Sequence, residues 1–129
     1  SIEGIGPVNA ERLRAAGIST VGVLLEAGAT KAGRKQLATN TGLAEDLILG
    51  WVNRADLMRV RGVGSQYSDL LEAAGVDTVK ELRHRRPDNL HQAMAEANAQ
   101  RNLVRRVPTA HEVERWISRA RELAPMVSY

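Results

Sequence analysis

Val60-Arg-Gly-Val-Gly64, continued by Leu71-Glu-Ala-Ala-Gly-Val-Asp-Thr-Val79 and Leu82, decides the fold, because the chain contains it twice. The earlier version is Ile2-Glu-Gly-Ile-Gly6, continued by Leu13-Arg-Ala-Ala-Gly-Ile-Ser-Thr-Val21 and Leu24. Gly4 pairs with Gly62, Gly6 with Gly64, Gly17 with Gly75 and Thr20 with Thr78, each at an offset of 62 − 4 = 58. Later residues match in a shifted register. Trp51-Val-Asn-Arg-Ala55 corresponds to Trp116-Ile-Ser-Arg-Ala120 at an offset of 65, so the second copy carries a net insertion of 65 − 58 = 7 residues. So many coincidences in register mark a duplicated module, with copies at 1–56 and 57–129.

Each copy is punctuated as a set of helices. Pro7 suits a first helical position, where its missing N–H has no intrahelical partner anyway. Ala10, Leu13 and Ala16 recur on one helical face, and Gly17 offers a left-handed stop. Thr20 predicts the cap of a short helix ending near Ala27 at Gly28, and Thr30 the cap of a third helix carrying Leu37 and Ala38. Leu47, Ile48, Trp51, Val52 and Ala55 form the apolar stripe of a fourth. Val113, Trp116, Ile117 and Ala120 repeat that stripe until Pro125. No alternating stretch is long enough for a sheet, so the expected class is all-α, as two small helical bundles packed together. Such sharing suits the length, since a unit of about 60 residues alone buries only about 60% of its unfolded surface.

Composition removes several chemistries. The absence of cysteine excludes a disulfide scaffold, a thiolate zinc site and a cysteine nucleophile. No run approaches the roughly 20 apolar residues of a membrane span, and nothing near the start has the order of a signal peptide. A cytoplasmic location follows as the default. The chain opens on Ser1 without a methionine, as an excised or trimmed domain would.

Gly-x-Gly can announce a dinucleotide loop, but Asn9 and Tyr67 stand where the third glycine belongs, no strand precedes either copy, and no Walker lysine follows. The remaining reading is a tight turn between helices. It exposes N–H groups at the start of the next helix, where the dipole favours an anion such as a backbone phosphate. Ile2-Glu-Gly-Ile-Gly-Pro-Val-Asn-Ala10 with Leu13 resembles the helix-hairpin-helix motif, with Ile5 as its buried hairpin residue. Val60-Arg-Gly-Val-Gly-Ser-Gln-Tyr-Ser68 with Leu71 is similar, Ser68 replacing the small alanine. The extension from Leu13 to Leu24 resembles the helical C-terminal domain of the bacterial RNA polymerase alpha subunit and a competence-regulator C-terminal domain. The duplicated order as a whole resembles an uncharacterised bacterial family of tandem helix-hairpin-helix domains.

That resemblance implies sequence-independent binding of duplex DNA backbone through hairpin amides and a nearby Lys or Arg, sometimes with a monovalent cation at the hairpin carbonyls. Gly4, Ile5 and Gly6 carry over to the first hairpin, and Gly62, Val63 and Gly64 to the second. The cationic clamp two residues later does not carry over, since Val8 and Gln66 stand there. Arg12 and Arg14 are the nearest positives to the first hairpin. Arg59 and Arg61 precede the second, which also offers Ser65 and Gln66 as neutral donors.

Charge singles out the second copy. Residues 1–56 hold six basic and six acidic residues, whereas 57–129 hold 18 − 6 = 12 and 15 − 6 = 9, so the whole net charge of +3 lies there. Arg83, Arg85 and Arg86 stand before the inserted region and Arg105 and Arg106 after it. The planar guanidinium suits bidentate phosphate contact. Aromatic interleaving suited to single strands is absent, because Tyr67 and Tyr129 are the only candidate stacking platforms.

Catalytic and metal chemistry find no purchase. His84, His91 and His111 lack ligand spacing, and Glu45, Asp46, Glu112 and Glu114 fall near helix starts, where carboxylates meet the dipole. Related glycosylases place a lysine or aspartate after the hairpin, but Asp77 matches Ser19 just before the capping threonine, beside Lys80. Leu70, which matches Arg12, is a candidate contact with the other repeat or with a partner, and Trp51 and Trp116 are expected in the core. The expected function is a non-catalytic nucleic-acid-binding module with no cofactor, no membrane contact and no small-molecule substrate. The alternative is a helical protein-interaction or scaffolding module.

Overall fold

The structure, a computed structural model, describes residues 2–129. The described residues form eight α-helices and no strand. They divide into two compact units, one comprising the chain up to Asp56 with Met126–Tyr129, the other Leu57–Pro125. Each has its own apolar core.

The first unit holds α1 (Pro7–Ala15), α2 (Val21–Gly28), α3 (Lys31–Thr41) and α4 (Glu45–Leu57), whose last residue enters the second core. Pro7 opens α1, and its C-terminus closes with the Gly17 N–H on Arg14 O and the Ile18 N–H on Leu13 O, which satisfies two of the last carbonyls. Thr20 and Thr30 accept the N–H groups of Val23 and Gly33 and so cap α2 and α3. Gly28 ends α2 as its last residue, and its missing side chain also lets Val52 of α4 pack close against it. One expectation needs correction. Leu47 is 41% exposed, so the stripe of α4 is narrower, carried by Ile48, Trp51, Val52 and Ala55.

A charge lies in this core. Arg34, 4% exposed, donates from Nη1 to Gly28 O (2.8 Å) and Ala29 O (3.1 Å), and from Nη2 to Ser128 O (2.6 Å). The guanidinium thus takes carbonyls at the C-terminal end of α2, where the dipole favours a cation, and holds the tail. Ser128 N–H returns a bond to Ala29 O at 2.8 Å, and Val127 packs on the core.

The second unit holds α5 (Ser65–Ala73), α6 (Val79–Leu82), α7 (Pro87–Arg101) and α8 (Ala110–Arg121). Helix α5 ends as α1 does, with Gly75 N–H on Glu72 O and Val76 N–H on Leu71 O. The inserted residues lengthen α7 and the loop behind it, which the Asn98 amide pins by bonding both backbone groups of Val104. Trp116 lies in the core, as Trp51 does in the first unit. Thr78 does not cap α6 with its side chain; its hydroxyl donates to Glu81 Oε2 at 2.5 Å. Leu70 is fully buried, so it is a core residue and not a partner contact. Burial of such a side chain stabilises by roughly 1.5–3 kcal/mol.

Candidate nucleic-acid interface

Both Gly-x-Gly segments are turns that enter a helix. Only the first glycine of each has positive φ, +82° at Gly4 and +97° at Gly62; Gly6 and Gly64 are ordinary N-caps of α1 and α5. Ile5 packs half-buried on the first core, and Val63 is buried in the second, where its side chain serves packing. No side chain caps α1 or α5. First-turn N–H groups have no intrahelical partner, and at the start of α5 these include Gln66 and Tyr67.

The carbonyl side of each turn is occupied from within. Arg54 Nη1 donates to Gly4 O at 2.7 Å, and Arg119 Nη1 donates to Arg61 O at 2.5 Å. Both arginines stand three residues after the repeated tryptophan. A monovalent cation at these carbonyls does not fit this chain, because a guanidinium already supplies the positive charge there. Sequence reading missed this role, although the matching Trp-x-x-Arg spacing was its signal.

The second turn adjoins a recess of about 170 Å³ lined by Gly62, Glu112, Arg115, Trp116 and Arg119. Arg61 precedes Gly62, and both Arg61 and Arg115 are exposed with no ion pair or side-chain hydrogen bond. Arg115 is the site residue that sequence reading passed over; it sits on α8, one position before the tryptophan. Across the recess Arg106 grips Glu112 with both nitrogens, at 2.7 and 3.1 Å. Glu112 also accepts the Thr109 N–H at 3.0 Å while Thr109 Oγ1 accepts the Glu112 N–H, which closes a capping box on α8.

The Arg106 guanidinium, helped by the Thr109 N–H, holds the Glu112 carboxyl down to about 2 from an ordinary 4.5. A carboxyl depressed on folding contributes stability above its unfolded value and loses it as pH falls toward the folded one. Wild type is therefore expected to melt above Glu112→Gln at pH 6, with the difference closing between about pH 4.5 and 2. Thermal melts across pH 6 to 2 check this; a gap that stays constant would exclude the ionised carboxylate as its source.

The remaining expected site residues scatter over other duties. Arg59 Nη2 donates to Ala124 O at 2.8 Å. Arg83 and Arg121 each donate to the other's carbonyl, at 3.1 and 3.4 Å. Arg85 bonds Ala74 O at the far end of α5 from the turn, and also Asn89 Oδ1. Arg86 lies 3.9 Å from Asp88. Arg105 is exposed without a partner, as is Arg12 in the first unit. Arg106 is committed to Glu112, and Tyr67 stacks on Trp116 at 5.2 Å with its hydroxyl on Arg106 O, so it is no open stacking platform. Arg83 and Arg106 thus sit at opposite ends of α8. Among the described residues no group of three His, Asp or Glu side chains could hold a metal ion, and no helix is long and apolar enough to cross a membrane.

No curated protein and no solved structure matches the chain. Residues 3–123 match the family described as Domain of unknown function (DUF4332). That stretch takes in nearly all of the 129 residues, and the chain belongs to the DUF4332 family.

Proposed function

We propose that the chain is a non-catalytic module of two helix-hairpin-helix repeats that holds duplex DNA backbone, independent of sequence, at its second hairpin. One observation carries the reading. Helix α5 begins behind Gly62 and Gly64 with no side-chain cap, and Arg61 and Arg115 stand exposed and unpaired beside the same turn. Outward amides, a helix dipole and two free guanidinia are the components that grip a phosphate without reading bases. The duplication is supported by the paired Gly17 and Gly75 helix ends and by the arginine that follows each tryptophan onto its own turn.

Anisotropy with a random-sequence duplex tests this. Binding is expected at 50 mM salt and falls steeply toward 200 mM. Arg61→Ala/Arg115→Ala should weaken it by tenfold or more and flatten the log–log salt slope by roughly 1.8, at about 0.9 per lost phosphate contact. No binding at 50 mM salt would sink the reading. A protein-interaction role is favoured by Val8, which lies 70% exposed beside the first turn, where a phosphate clamp would need a cation.

A further inference from the structure

We propose that the recess beside the second hairpin is a phosphate site in which the indole N–H of Trp116 is the inner donor and Arg115 the outer clamp; as a contact to a DNA strand, this rests on the reading above. Trp116 is only 3% exposed, yet its Nε1–H donates to no group of the chain. A largely buried indole usually directs its N–H to an acceptor. This one is not sealed off, since among the described residues Asn53 Oδ1 is the fully enclosed side-chain polar atom without a partner, so the Trp116 N–H opens on solvent. It faces the recess, since a Cβ built on Gly62 would stand 3.0 Å from Trp116 Nε1 and 3.6 Å from Arg119 Nη1. The missing side chain therefore keeps the donor uncovered.

The surrounding charges suit an oxyanion. Arg119 spends Nη1 on Arg61 O and keeps further N–H groups, while Arg115 has no other partner. The single carboxylate at the recess, Glu112, is matched by the two-pronged grip of Arg106. A volume of about 170 Å³ is several times the roughly 30 Å³ share of one water, which leaves room for a tetrahedral phosphate. The first unit serves as an internal control. At the offset of 65 it has Trp51 and Arg54, but Gly50 replaces Arg115 and Leu47 replaces Glu112. The same indole there lacks the outer cation.

The two tryptophans give two indole N–H signals in proton–nitrogen spectra of the full chain, assigned through the backbone. Titration with inorganic phosphate, and separately with a random-sequence duplex, is expected to move the Trp116 indole signal and leave that of Trp51 in place. Arg115→Ala should weaken both titrations about tenfold, the loss of one charge-assisted contact. Duplex that shifts the first-turn amides of α5 but not the Trp116 indole would overturn this inference and leave the backbone-binding reading standing. A response to phosphate with none to duplex would instead keep the pocket as a site for a free phosphate ester and remove the strand. An indole unmoved by either ligand, or unaffected affinity in Arg115→Ala, overturns the site.

Discussion

Arg34→Met is expected to cost the first unit about 3 kcal/mol, and to do so without touching the second. The guanidinium is buried and donates to three carbonyls, Gly28 O, Ala29 O and Ser128 O, drawn from α2, the residue after it and the tail. Methionine fills the volume but donates nothing. Ala29 O keeps the Ser128 N–H, but Gly28 O and Ser128 O lose their donor. Each acceptor left unpaired costs about 1–3 kcal/mol, offset in part because a buried charge has also gone. Arg34→Lys should fall between, since one ammonium on a flexible stem cannot reproduce a planar fork aimed at three oxygens. Urea denaturation followed by amide signals reads each unit separately. The methionine variant should lower the midpoint for first-unit amides and loosen Ser128 first. A loss below about 1 kcal/mol would mean that water reaches these carbonyls and that the buried arginine is dispensable.

Gly62→Val is expected to remove about 3 kcal/mol from the second unit and, on the function proposed above, to abolish duplex binding. Gly62 sits at φ +97°, where a β-branched side chain is strained by about 1–3 kcal/mol. Its Cβ would also stand 3.0 Å from Trp116 Nε1 at the rim of the recess, so the indole edge would have to give by a few tenths of an ångström, which adds to that strain. The same methyls would fill the recess beside Arg119. Gly64→Ala is the informative companion, because Gly64 has φ −96° and asks nothing unusual of the backbone. It should melt within about 1 kcal/mol of wild type, the usual range for a surface change. If Gly62→Val melted like wild type, the positive-φ turn would be refuted. If it unfolded the unit, the milder Gly62→Ala, read by duplex affinity while still folded, keeps the binding claim testable.

Local chemistry was legible in the residues, and cross-chain chemistry was not. Gly17 and Gly75 announce left-handed helix ends because only glycine is at ease there, and Thr20 and Thr30 announce caps because a hydroxyl three residues before a free N–H is a short-range contact. The tryptophan stripes of α4 and α8 follow from periodicity alone. Gly28 is legible as the end of α2, but nothing in its neighbours reveals that Val52 packs against it. Leu70 is enclosed in the second core although the residue it matches in sequence, Arg12, is exposed; matched positions need not share an environment.

The arginines show the boundary most sharply. The sequence by itself determined an all-helical chain, the internal match of its two halves, and an excess of positive charge confined to the second. Which guanidinia remain free for a phosphate was decided only by the tertiary structure. Arg34 is spent on a carbonyl 94 residues away, Arg119 on one 58 residues away, Arg106 on a carboxylate one helix turn into α8, while Arg61 and Arg115 remain open. Helix caps and stripes are set by neighbours within about a turn. A charge is claimed by whichever acceptor the fold carries to it, and that distance is not written along the chain.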